Sequence, residues 1–120
     1  MFTASRQDYA DAVIDKLDPT RTLVDHRLYR NHCLPVYDFF VKDLRVLSNR
    51  KLEDLIIVDN LIYSFANHME NGVPILPYIK GKEDRELFTL EQQLAGIKSF
   101  IDCREWIEQK FHLKHFYETI

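Results

Sequence analysis

The sequence predicts an α/β domain built on a parallel sheet with helices on both faces, and three observations carry that expectation. Leu55-Ile56-Ile57-Val58 sets four large apolar residues in succession, three of them β-branched. Such a run reads as a strand buried on both faces, because a half-exposed strand would alternate with polar positions. Asp59-Asn60 falls at the carboxyl end of that strand, the edge where open α/β sheets hold ligands. An acid and an amide there can hold a metal ion or a phosphate, and a simple turn accounts for the pair equally well. Phe2-Thr3-Ala4-Ser5 also reads as a strand end running straight into a helix-period segment, the strand-then-helix order of such folds.

In chain order, Phe2-Thr3-Ala4-Ser5 reads as a strand end running into a helix, with Ser5 as N-cap and Asp8 completing a capping box. Ala10, Val13, Ile14 and Leu17 form one helical stripe, and Asp18-Pro19 stops it. Leu23 to Tyr29 and Tyr37 to Val41 are short strands, with Leu34-Pro35 between them. After the Leu55 strand, Asn71-Gly72 signals a turn before a further strand, Val73-Pro74-Ile75-Leu76. From Glu83, the spacing of Leu87, Leu90, Leu94, Ile97 and Ile101 predicts one long amphipathic helix. Asp102 caps a last helix whose buried face carries Cys103, Ile107 and Phe111. Cys103 is thereby a core residue rather than a reactive thiol.

A chain of 120 residues with 46% apolar content suits one domain with a real core. A net charge of -3 and a pI near 5.9, with no basic run, argue against nucleic acid or anionic lipid as partner. Cys33 and Cys103 are far apart and outside any CxxC spacing, which indicates neither a disulfide framework nor a zinc site. His112 and His115 have i, i+3 spacing but no third ligand, and read as surface residues. No apolar stretch approaches a membrane span and the N-terminus lacks a signal-peptide layout, so the expectation is a soluble intracellular protein, nuclear or cytoplasmic.

Three pieces stand in a set order: Phe2-Thr3-Ala4-Ser5, Val41-Lys42-Asp43-Leu44 and Ile57-Val58-Asp59-Asn60. Together they resemble the haloacid dehalogenase superfamily. With Tyr9-Ala10-Asp11, Leu28-Tyr29-Arg30, Cys33 and Asn71-Gly72-Val73-Pro74-Ile75, they resemble more narrowly the phosphatases of the RNA polymerase II C-terminal domain, including the Dullard and NLI-interacting-factor-like proteins. The resemblance weakens after about Trp106. It implies a three-layer Rossmann-like fold and magnesium-dependent removal of phosphate from phosphoserine or phosphothreonine through an aspartyl phosphate.

The residue chemistry suits that implication. Phosphoryl transfer needs donors and cations on the equatorial oxygens of the phosphoryl group. Thr3 and Ala4 sit at a strand end, Thr3 offering a hydroxyl and a backbone N–H to phosphate. Lys42 offers a point charge with Asp43 and Asp59 as counter-charges. Asn60 supplies a neutral oxygen for magnesium, and Asp59 orients Lys42 or a metal-bound water. Tyr9 matches a tyrosine lining the proline pocket of the polymerase-directed members, and Arg30 matches the family's arginine after the short strand, which either faces the phosphopeptide or pairs with a nearby acid as a surface residue.

The resemblance also has gaps. The family's Asp-x-Asp-x-Thr motif, which carries the nucleophile and the acid–base aspartate, does not occur in the sequence. In the family fold that motif lies on a central strand between the Thr3 and Asp59 strands. The sheet is thus expected to be N-terminally incomplete, residues 1–120 forming the C-terminal portion of the domain. Pairing the two open edges directly would displace the helices over the sheet, so the expectation is a molten or aggregated chain, or one associated through those edges or with the missing strand. Arg6 and Leu61 replace a leucine and a serine of the family. The alternative to a phosphatase, in which the chain alone lacks the nucleophile and is inactive, is a catalytically dead binding or interaction module of the same fold. A phosphoprotein, with the polymerase tail as one case, is the expected partner.

Overall fold

The computed structural model describes residues 1–113. Three α-helices, α1 (Gln7–Leu17), α2 (Glu86–Ala95) and α3 (Cys103–Phe111), accompany four short strands. The strands are β1 (Leu34–Val36), β2 (Phe39–Val41), β3 (Ile57–Asp59) and β4 (Gly72–Pro74). β3 and β4 pair in parallel, Val58 opposite Val73, whereas β1 and β2 form an antiparallel hairpin. The α/β class and the parallel pairing are present; among the described residues the sheet is divided into these two pairs and a parallel bridge between Phe2 and Leu28.

The Leu23–Tyr29 strand reduces to that bridge for a definable reason. The fully buried Asp18 carboxylate accepts the N–H groups of Thr22, Leu23 and Val24 at 2.9–3.2 Å, so those donors bind a side chain instead of a neighbouring strand. At the start of α1 the expected capping box does not form. The N-cap is Arg6, and Ser5 gives its N–H to the Thr3 hydroxyl (3.1 Å) and its carbonyl to the Arg30 N–H (3.0 Å). Ala10 and Ile14 of the α1 stripe are buried with Tyr29, but Val13 and Leu17 are exposed. Leu34-Pro35 belongs to β1 rather than to a connector, which a two-stranded hairpin tolerates because it is all edge.

Burial in β3 alternates instead of covering both faces: Ile57 and Asp59 are buried and Val58 is 37% exposed. Asn71-Gly72 is no surface turn. Asn71 is fully buried and donates to the carbonyls of Leu52 (2.7 Å) and Leu55 (2.9 Å); the Cys103 thiol donates to the same Leu55 carbonyl (3.1 Å). Gly72 opens β4 against the Phe65 ring, which a Cβ at that position would overlap. The long helix expected from Glu83 stops at Ala95 and tightens into a 3-10 turn, Gly96–Ser99. Leu90 and Ile97 of its stripe pack against the core, while Leu87 and Ile101 are exposed. Asp102 caps α3 through the Arg104 N–H (3.0 Å), and Cys103 and Ile107 are buried as expected.

Three small cores result. Ala10, Ile14 and Tyr29 form the first, Leu44, Ile57, Phe65, Met69 and Leu113 the second, and Val73, Trp106 and Ile107 the third. Between the first and second runs a trough of about 580 Å³, walled by Phe2, Val24 and Leu28 on one side and Leu44, Leu55, Ile56 and Val58 on the other.

Candidate functional site

β2 ends at Val41, so Lys42 leaves the hairpin at once, and its N–H is fixed by the Ser64 carbonyl (2.7 Å). β3 ends at Asp59. The Lys42 ammonium donates to Asp59 Oδ2, and both side chains are buried, 11% and 7% exposed. Asp59 Oδ1 accepts the Leu61 N–H (2.9 Å), so both carboxylate oxygens are engaged and the lysine is held to one place. A buried ion pair is costly to assemble unless its remaining valences are met; those of Asp59 are met, while the carboxylate is the one hydrogen-bond partner of the Lys42 ammonium among the described residues.

Asp43 does not serve Lys42, contrary to expectation. It caps the turn Leu44–Val46 through the Arg45 N–H (2.9 Å), binds the Arg45 guanidinium, and meets the buried His68 Nε2 at 2.9 Å. The Arg45 side chain chiefly, against burial, and then His68 hold the Asp43 carboxyl well below the usual carboxylate range. His68 lies in the segment Ile62–Asn71 that also supplies the Ser64 carbonyl. The Lys42-Asp43 dipeptide is therefore clamped twice to the segment following Asp59. Sequence reading missed His68, since a lone histidine carries no spacing signal.

Thr3 and Ala4 form the next part. The Thr3 N–H donates to the Leu28 carbonyl (2.9 Å), so of its two expected phosphate donors only the hydroxyl remains, accepting from Ser5 and free to donate its own proton. Arg30 reaches back through Nε to the Ala4 carbonyl (2.7 Å), and its guanidinium lies 4.7 Å over the Phe40 ring of β2. This bond and stack set the Thr3-Ala4 loop beside the hairpin that presents Lys42. Cys33 lies against the Thr3 and Tyr29 carbonyls, and burial pushes its thiol up, opposed by the charges of Lys42 and Arg30. Tyr29 Oη donates to Asp11 (2.6 Å) and Arg27 bridges Asp11 and Asp15, anchoring this stretch to α1.

Tyr9 and Arg30 line one open depression with Ser5, Arg6 and Asp8. Asn60 is exposed, and its amide makes no hydrogen bond among the described residues. Its oxygen is a hard donor of the kind magnesium accepts, and no cluster of three acidic, histidine or cysteine side chains that could hold a metal occurs among the described residues. His112 is exposed beyond α3, and His115 lies outside the described residues.

A clamped lysine, a hydroxyl and an exposed amide oxygen thus stand just beyond β2, the Phe2 bridge and β3 of an α/β domain. The comparison with known proteins gives the family. The model of the NLI interacting factor-like phosphatase family matches residues 1–104, and the chain belongs to that family. The chain is 38% identical, over its whole length and 43% of the relative's, to CTD small phosphatase-like protein 3 of Caenorhabditis elegans. It is 32% identical to CTD nuclear envelope phosphatase 1 of Xenopus tropicalis, over 93% of this chain and 46% of that one. It is 37% identical to nuclear envelope morphology protein 1 of Schizosaccharomyces pombe, over 88% and 22%. The chain thus spans less than half the length of these relatives. No described helix is long and apolar enough to cross a membrane.

Proposed function

We propose that residues 1–120 form the carboxyl-terminal portion of a magnesium-dependent protein serine/threonine phosphatase domain with the three-layer haloacid dehalogenase fold. The buried Lys42–Asp59 pair, with the unbonded Asn60 amide next in sequence, is the observation that carries this reading. In it, the Thr3 hydroxyl and the Lys42 ammonium bind the phosphoryl oxygens, and the Ala4 backbone lines the same loop. Asp59 keeps Lys42 aimed, and Asn60, with Asp59 beside it, offers oxygen to the cation. Bound magnesium would neutralise charge that develops on the phosphate. Arg30 and Tyr9 receive the polypeptide that carries the phosphate, whether a polymerase tail or another phosphoprotein. The apolar trough supports the expected place of an additional strand. Asp59 accepts the Ile75 N–H from the β4 side, so by the alternation of a parallel ladder the main-chain groups of Val58 face the trough.

The test compares this chain with a longer one that adds an upstream strand bearing Asp-x-Asp-x-Thr. The chain alone should not hydrolyse an aryl phosphate, because a threonine, a lysine and an amide cannot replace the carboxylate that is phosphorylated. The longer chain should turn over with magnesium, and Lys42→Ala or Asn60→Ala in it should each cost at least about tenfold. Turnover by the short chain, or wild-type rates in both variants, would overturn the assignment. Phosphopeptide binding by a longer chain that does not turn over would favour the inactive binding module.

A further inference from the structure

An apolar groove of about 410 Å³ begins at Asn60 and is walled by Ile75, Leu76, Pro77, Tyr78 and Leu87. Leu76, Tyr78 and Leu87 are 69%, 73% and 71% exposed, a concentration of large apolar side chains that a soluble surface seldom leaves uncovered without a partner. The charged residues lining it are Asp84 and Glu86. Asp84 Oδ1 accepts the Glu86 N–H (2.9 Å), and neither carboxylate forms an ion pair among the described residues. Both acids also line an adjoining depression with Lys82, Glu83 and Arg85, and the Arg85 guanidinium lies 5.4 Å over the Phe88 ring.

A second depression has the opposite balance of charge. The depression that joins Tyr9 and Arg30 carries Arg6 and Arg30 against one acid, Asp8. The depression that includes Arg30 thus carries excess positive charge, whereas the lining charges of the apolar groove that includes Asn60 are both negative. A groove with two unpaired acids repels a phosphate, so it is not itself a phosphate pocket; it suits a cationic, apolar stretch of polypeptide.

We infer that this groove is a specificity subsite of the phosphatase reading proposed above, taking residues that flank the phosphorylated side chain and selecting basic and large apolar ones. Asp84 and Glu86 supply the charge preference, while Leu76, Tyr78 and Leu87 supply the contact area. Continuity with the site rests on Asn60, which lines the groove and follows Asp59 directly, and on the Ile75 N–H bond to the Asp59 carbonyl (3.2 Å).

The test is fluorescence anisotropy of this chain with labelled peptides in which leucines alternate with either lysines or glutamates, each made with and without one terminal phosphoserine. The lysine peptide should bind at least about fivefold tighter than the glutamate peptide at low salt, the scale of two partly exposed charges. Asp84→Asn with Glu86→Gln, which keeps the hydrogen-bond acceptor at Asp84, should abolish that preference, and Leu87→Ala should weaken both peptides. Circular dichroism confirms that the variants fold. Equal binding of the two peptides, a preference that survives the double variant, or no binding at all overturns the subsite. Phosphate dependence, read on the longer chain with the upstream strand, reports separately on the parent reading: a lysine preference retained there with no gain from phosphoserine would sink the phosphatase site and leave the groove standing.

Discussion

Lys42 and Asp59, 17 residues apart in sequence, join the end of β2 to the end of β3 through an ion pair that is almost fully buried. The attachment is mutual, since each charge would be desolvated and uncompensated without the other.

Breaking that pair from one side should therefore be worse than removing it. Lys42→Met or Asp59→Asn alone should each destabilise by roughly 3 to 5 kcal/mol, whereas the double variant should lose less than the sum and no more than the worse single. Urea unfolding of the four chains measures this. Simple additivity would mean that the two charges are not coupled.

Acid should loosen the amino-terminal core through Asp18. The Val24 N–H, against burial, and then those of Leu23 and Thr22 hold its carboxyl below the ordinary value of 3.8. The folded state therefore binds fewer protons than the unfolded state in this range. The stabilisation is complete above the ordinary value and is lost as pH falls through it towards the folded one. Asp18→Asn should lower the urea midpoint at pH 7 and flatten its decline between pH 5 and pH 3. Parallel midpoint curves for the two chains would refute this.

Gly72 meets Phe65 so closely that a methyl group cannot be added without displacing the ring. Gly72→Ala should cost about 1 to 3 kcal/mol by overpacking, and Phe65→Leu in the same chain should recover part of that loss. Thermal melts of the two variants decide it; an unchanged Tm for Gly72→Ala would show that the ring moves freely.

Sequence reading succeeded where the signal was local. The Asp102 cap, the buried face of α3 and the strand ending at Asp59 follow from adjacent residues alone. It failed where burial depends on what lies across the chain. Val13, Leu17 and Leu87 keep helical spacing yet are exposed, because a stripe states which side seeks cover and not whether cover is present. Asn71-Gly72 has the composition of a turn, but Leu52 and Leu55 offer two carbonyls that draw Asn71 inward. Asp43 was read as a partner of Lys42 by adjacency, and His68, 25 residues away, takes that place.

The carbonyls of Leu52 and Leu55 also impose an order on synthesis. Their donors are Asn71 and the Cys103 thiol, the latter 48 residues beyond Leu55. A nascent chain emerging amino-terminus first can close the Ala10–Ile14–Tyr29 cluster as soon as Tyr29 is free, whereas the Leu52–Asp54 turn waits for partners not yet made. Docking of α3 is then the late event that seals the carboxyl-terminal half. A ribosome stalled before Trp106 would present the first cluster formed and Ile56 and Val73 still without their α3 cover, the stage at which a chaperone has most access to them.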